Sequence, residues 1–291
     1  MANFCHEDAF NTFFIWTVSL KIGGDFFRKS LLFCACFVLA CPHAAAEPKQ
    51  QPGNNMSAAR VAEFKHFFNG PITIEKVDKF IAERPSGTIK KLIIGSDGGS
   101  AIAGMKLARW VKDNNLDVEA YLYCHSACAN LVFLAGNKKI IGAGSLVTWH
   151  GSSHQKDLRE LLVKYVETLE KSYFSKEQLT KDDQAFLDEK KSSIATLIKF
   201  REMERQFYDE LQINEYITRL GQEPKTANAS DAWVATVRAM QKFGINNVEA
   251  PEGYGTAKYM EPLKTQVFNC KGKCMTFDVD ERDAVVRTDR R

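Results

Sequence analysis

Three short stretches of this chain have the residue types that acyl transfer needs. Ser126 lies in Cys124-His125-Ser126-Ala127-Cys128, His150 closes Thr148-Trp149-His150, and a glycine pair occupies Ser96-Asp97-Gly98-Gly99-Ser100. A serine hydroxyl is a weak nucleophile until a base accepts its proton, so Ser126 acquires meaning only if a histidine reaches it. His150 is the candidate: it ends one strand-patterned segment as Ser126 follows another, and neighbouring strand ends in a parallel sheet lie close together. His125, adjacent in an extended segment, is expected to point away from Ser126, and His154 falls in the loop after Gly151-Ser152-Ser153. At Gly98-Gly99, a strand-to-helix turn leaves backbone N–H groups unpaired, and glycine lets a carbonyl oxygen approach them. Each feature also has a plainer reading. Gly98-Gly99 can be ordinary turn chemistry, Ser126 a helix N-cap and His150 a structural strand end.

Hydrophobic periodicity supplies the elements that must position these groups. Residues 91 to 94 form a compact apolar run that reads as a buried strand entering the glycine turn, and residues 102 to 111 repeat at helical spacing until Asn114-Asn115. Residues 118 to 123 alternate as a strand, 126 to 135 read as an apolar helix stopped by Gly136, and 140 to 141 and 146 to 149 supply further strands. This alternation implies an α/β fold with a mostly parallel sheet. Upstream, 72 to 74 read as a short strand and 77 to 83 as a helix. Ser126 then falls in the first turn of a helix, beside the Ala127 N–H and the positive helix end, where developing negative charge is favoured.

Residues 156 to 220 shift to long charged helices with narrow apolar stripes, either a solvated arm or an assembly or substrate-gating surface. A last helix is expected over 231 to 243, ending at Gly244, and the charged residues 278 to 291 read as a disordered tail. The folded domain is thus expected over residues 58 to 277.

The whole chain narrows the function classes. Its 291 residues are 45% hydrophobic and 26% charged, a globular composition that excludes a wholly disordered or fibrous protein. A net charge of +3 with acids and bases interleaved gives no basic face for a nucleic-acid partner. Arg28-Lys29, an apolar run over 31 to 40 and His43-Ala44-Ala45-Ala46 together read as a cleavable export signal over 1 to 46, followed by a turn-rich linker over 47 to 57. This places the mature chain in the periplasm or outside the cell. Val38-Leu39-Ala40-Cys41 offers a second reading, a lipoprotein signal that would tether the chain to a membrane through Cys41. Export leaves Cys124, Cys128, Cys270 and Cys274 of the 8 cysteines, an even set that suggests disulfides. Three pairings are open, and the tight turn Cys270-Lys271-Gly272-Lys273-Cys274 favours the local Cys270–Cys274 pair. Two four-residue cysteine spacings are weak grounds for zinc, so neither a metal nor a cofactor is expected.

Residues 91 to 150 resemble the proteolytic subunit of the Clp protease, within the Clp/crotonase superfamily, through the glycine-pair, nucleophile and histidine segments quoted above. They also resemble exported bacterial proteins related to Clp. The resemblance implies a crotonase-like spiral of strand-strand-helix units and a Ser-His-Asp peptidase acting on a peptide or protein, in a family that forms homo-oligomers. It assigns Ser126 as nucleophile, His150 as base and Asp231 as the third member. Backbone N–H groups of Gly99 and Ala127 would form the oxyanion hole, with Gly98 in the supporting turn. Two cysteines flank the serine and could close its turn, His125 replaces a small residue, and the charged insertion occupies the place of the family's ring contacts, so a Clp-like barrel assembly does not follow. Two other functions fit the same pattern: a catalytically inactive Clp-like binding or assembly protein, and crotonase chemistry on acyl-coenzyme A, which export disfavours.

Overall fold

The computed structural model describes residues 64–174, 179–222, 232–263 and 274–289, all within the unit Asn54–Arg291. The export signal, the linker, Cys41, Asp231 and Cys270 lie outside the described residues.

The main sheet contains β1 (Phe67–Asn69), β2 (Lys91–Ser96), β3 (Asp117–His125), β4 (Lys139–Ile141) and β5 (Leu146–Thr148). A short strand, Val248–Glu249, completes it beyond β4. All its pairings are parallel, and the α/β class with a mostly parallel sheet read from the sequence is the class observed. Leu92, Ile93 and Ile94 are fully buried, as parallel strands covered on both faces must be. One cover is α1 (Ile74–Ala82), capped by Thr73 and turning Val77 and Phe80 inward. Another is α2 (Ala101–Asp113), capped by Ser100, which buries Met105, Leu107, Ala108 and Val111. The sequence pattern placed a strand at 72 to 74; instead Ile72 makes a single bridge to Gly99 and the helix starts at Ile74. Thr73 accounts for the shift, because its side chain accepts the Lys76 N–H and fixes the first turn there.

β3 bends at Leu122, whose φ is +63°, a costly conformation for a bulky side chain. Before the bend, Val118 to Ala120 pair with β4. After it, Tyr123, Cys124 and His125 pair with Leu146, Val147 and Thr148 of β5. The hydroxyl of Ser145 accepts the freed Leu122 N–H at 2.9 Å. Beyond β3 the chain enters a buried π-helical segment, Cys128–Phe133, rather than the ordinary helix expected over 126 to 135.

A second sheet is formed by β6 (Trp233–Ala235), β7 (Met275–Val279) and β8 (Val285–Arg287), with β7 in the middle. Trp149 and Trp233, both fully buried, exchange backbone hydrogen bonds of 3.0 and 2.8 Å and connect it to the main sheet. Two expectations are corrected here. The helix placed over 231 to 243 begins only at Val237, because Thr236 caps it and the fully buried Trp233, Val234 and Ala235 are in a strand. Residues 278 to 289 are not a disordered tail. Their charged groups have partners: Asp278 accepts from the Thr236 hydroxyl and from Arg238 on the following helix, and Asp289 accepts from Arg287.

The charged insertion is a pair of helices, α3 (Lys156–Phe174) and α4 (Lys181–Leu211). The distal part leaves Val163, Val166, Tyr173 and Phe174 exposed, whereas α4 buries Phe200, Glu204, Phe207 and Tyr208. Tyr208 donates to the Asn130 carbonyl at 2.8 Å and fixes α4 to the π-helical segment.

Phe277 in β7 has no exposed surface. Phe277→Ala is therefore expected to cost about 3–5 kcal/mol, the range for truncating a buried aromatic side chain, measured as a lowered urea midpoint with an unchanged slope. A shift within about 0.5 kcal/mol, the range of surface substitutions, would mean that the C-terminal hairpin contributes nothing to the core.

Candidate active site

Ser126 is the first residue after β3, and its φ of +57° makes it one of six described non-glycine residues in the left-handed region. A serine there costs on the order of 1 kcal/mol or more and needs surrounding structure to hold it. The Ser126 N–H donates to the Thr148 carbonyl, its own carbonyl accepts the Asn130 N–H at 2.8 Å, and a Cys124–Cys128 disulfide spans it. Both cysteines are fully buried. Of the four downstream cysteines, Cys274 is also disulfide-bonded, and Cys270 lies outside the described residues.

The Ser126 hydroxyl does not cap the following helix. The N-cap position is Ala127, with no side-chain capping bond, and Ser126 Oγ instead lies 2.8 Å from His150 Nε2. A neutral imidazole carrying its proton on Nδ1 accepts the serine O–H in this arrangement. Register brings the two residues together: His125 pairs with Thr148, so Ser126 and His150 leave adjacent strand ends side by side. Burial lowers the His150 pKa below the ordinary 6.5, and the Asp157 carboxylate acts in the opposite direction. Asp231, expected as the orienting acid, lies outside the described residues.

The glycine pair lies against this elbow. Gly98 has φ +90°, and a Cβ placed on it would come within 2.6 Å of Ser126 Cβ and 2.7 Å of the His125 carbonyl. Gly99, φ +140°, forms a parallel bridge in which Gly98 O and Ser100 N take both bonds to Ile72. The Gly99 N–H therefore faces away from Ile72. Among the described residues, neither that N–H nor the Ala127 N–H has an acceptor.

Several residues that sequence patterns did not single out hold the His150 segment. Gln222 donates to the His150 carbonyl and Asn130 to the Gly151 carbonyl, each at 2.7 Å. Arg201 donates to the Ser153 carbonyl at 2.9 Å, and the Ser153 hydroxyl donates to Glu204. Burial raises the Glu204 carboxyl to about 7, which lets it remain protonated inside the protein near neutrality. Asn130 alone carried a signal, as the one polar residue in an apolar run. His154 is not at the site; its Nε2 faces Glu215 at 3.6 Å. His125 departs from expectation, since its ring stacks on His150 rather than pointing away, with centroids 4.7 Å apart and planes inclined by 26°. The cause is that Ser126 turns left-handed, so the alternation of an extended strand ends at His125.

Among the described residues, no cluster of three or more His, Cys, Asp or Glu could hold a metal ion, and no helix is long and apolar enough to cross a membrane. Comparison with solved structures finds a ClpP1 mutant from Listeria monocytogenes, at 15% identity and a TM-score of 0.37, over 65% of this chain and 94% of that one. No family model and no curated protein matches the chain.

Gly98→Ala and Gly87→Ala separate crowding at the elbow from backbone strain, because both glycines have positive φ but Gly87 faces open space. Gly87→Ala is expected to lose about 1 kcal/mol, and Gly98→Ala at least roughly 2 kcal/mol more, as overpacking adds to strain, read by thermal unfolding. Equal losses would show that Gly98 does not pack on Ser126.

Proposed function

We propose that this chain is an exported serine peptidase or related acyl hydrolase of Clp-like type. The 2.8 Å approach of His150 Nε2 to Ser126 Oγ carries the reading. His150 takes the serine proton as Oγ attacks a peptide carbonyl carbon, and the carbonyl electrons move onto oxygen. The Gly99 and Ala127 N–H groups, which lack acceptors among the described residues, receive that oxyanion. His150 next passes its proton to the leaving amine as the C–N bond breaks. Water then enters with His150 again as base, and the acid product leaves with Ser126 restored. Asp231 is assigned to Nδ1 of His150, where a carboxylate selects the tautomer and stabilises the imidazolium. A buried Cys124–Cys128 disulfide supports folding in an oxidising compartment, in keeping with export.

A fluorophosphonate probe tests this assignment on the purified mature protein. The wild type is expected to label, Ser126→Ala and His150→Ala to lose at least about 10³-fold in rate, and Asp231→Asn to lose about 10³–10⁴-fold, as in other triads. A folded wild type that remains unlabelled above pH 7 contradicts the proposal.

The base must be neutral, so labelling is full above the His150 pKa and falls as pH drops through it. Because burial lowers that pKa, the acid limb is expected below pH 6.5. A midpoint above 6.5 would show that the carboxylate charge of Asp157 and of Asp231 at Nδ1 outweighs that burial.

A further inference from the structure

We infer that His125 is a positioning residue for the Ser126–His150 pair: its ring backs the face of the His150 imidazole and keeps Nε2 in the plane of the serine hydroxyl. The inference rests on the hydrolase reading of that pair. Thr148 is the anchor, a residue with 1% exposure whose two polar groups hold both neighbours. Its carbonyl accepts the Ser126 N–H, and its hydroxyl lies 2.7 Å from His125 Nδ1. One residue on β5 therefore fixes the nucleophile's backbone and the ring that supports the base.

His150 requires such support because it stands at a strand end, only half-buried, and a terminal imidazole torsion is broad. A carboxylate at Nδ1 selects which edge of the ring faces the serine but leaves the ring free to tilt about that bond. A stacked ring removes the tilt. Among the described residues, the groups facing His150 are His125 from β3, the Ser126 hydroxyl and, as a charge, Asp157 from α3. Among the same residues, those facing His125 are Thr148 from β5 and His150 itself. Burial, followed by the His150 charge, pushes His125 down to about 3, so His125 is neutral wherever His150 works. The imidazolium formed during catalysis then lies over an uncharged aromatic face, which tolerates a cation. The serine proton goes to His150 and not to His125, because the Ser126 hydroxyl lies 2.8 Å from His150 Nε2 while the hydrogen bond of His125 is to Thr148.

Three substitutions separate the ring from its hydrogen bond: His125→Phe keeps a ring without a polar edge, His125→Gln keeps a partner for Thr148 without a ring, and His125→Ala removes both. Two readouts are taken on the full mature chain, the pH profile of fluorophosphonate labelling and an NMR titration of the His150 Cε1 proton. Loss of the ring lets water replace it and relieves the burial that lowers His150. His125→Gln and His125→Ala are therefore expected to move both midpoints upward toward 6.5 and to slow labelling at pH 8 by about 10–100-fold, the scale of misplacement near a reacting group. His125→Phe is expected to keep both midpoints and to label within about threefold of the wild type. Unchanged midpoints and rate in a folded His125→Gln or His125→Ala variant overturn the proposal, and so does a His125→Phe variant that falls as far as His125→Gln. The NMR arm does not need a reactive serine: a wild type that takes no probe defeats the hydrolase reading alone, and the His150 midpoints still decide the role of His125.

Discussion

The bend of β3 at Leu122 is the constraint on which the candidate site depends. A straight β3 would continue along β4 and leave Ser126 without a histidine beside it. Instead the chain accepts a left-handed leucine, hands its last three residues to β5, and brings two strand ends together so that serine meets imidazole. The energy for this comes from the surroundings. Ser145 satisfies the N–H released at the bend, and Cys124, Leu146, Val147 and Thr148 are all buried around it. Local strain of a few kcal/mol is sustainable only in such a well-determined setting.

The same economy governs the two sides of the site. On the serine side, Gly98 lets the backbone of one turn touch the side chain of the other, and the Cys124–Cys128 bridge limits the conformations open to the elbow. On the histidine side, hydrogen bonds from Asn130, Gln222 and Arg201 to three carbonyls of the segment 150 to 153 tie it to the π-helical segment and to the root of the arm. Glu204 belongs to this root. A buried acid accepting a serine hydroxyl is costly when ionised, and its raised pKa is the sign of that cost. The charged insertion is therefore more than a solvated appendage at its base, where α4 is part of the structure behind His150.

Much of this arrangement was legible in the residues. The parallel sheet followed from apolar runs such as Leu92 to Ile94, and the Ser126–His150 contact followed from their places at successive strand ends. The misread elements share a cause, which is long-range pairing. Trp233 to Ala235 has no alternation because both faces of that strand are covered, so helical spacing won the reading. Asp278 to Asp289 looked too charged to fold because partners such as Arg238, which pairs with Asp278, and Thr236, which hydrogen-bonds to it, are distant in sequence. His125 was misplaced for a local reason: strand alternation predicts opposite sides for neighbours, and a positive φ at Ser126 breaks the alternation at that point.

The claim that unites these observations is that the fold singles out one serine hydroxyl and activates it. Peptide mapping by mass spectrometry after native reaction with diisopropyl fluorophosphate tests it directly, since Ser152 and Ser153, just after His150 in sequence, serve as internal competitors. A single phosphoryl adduct on Ser126, absent when the protein is unfolded before exposure, is the predicted result. An adduct on Ser152 or Ser153, or no adduct on native protein, would contradict the account.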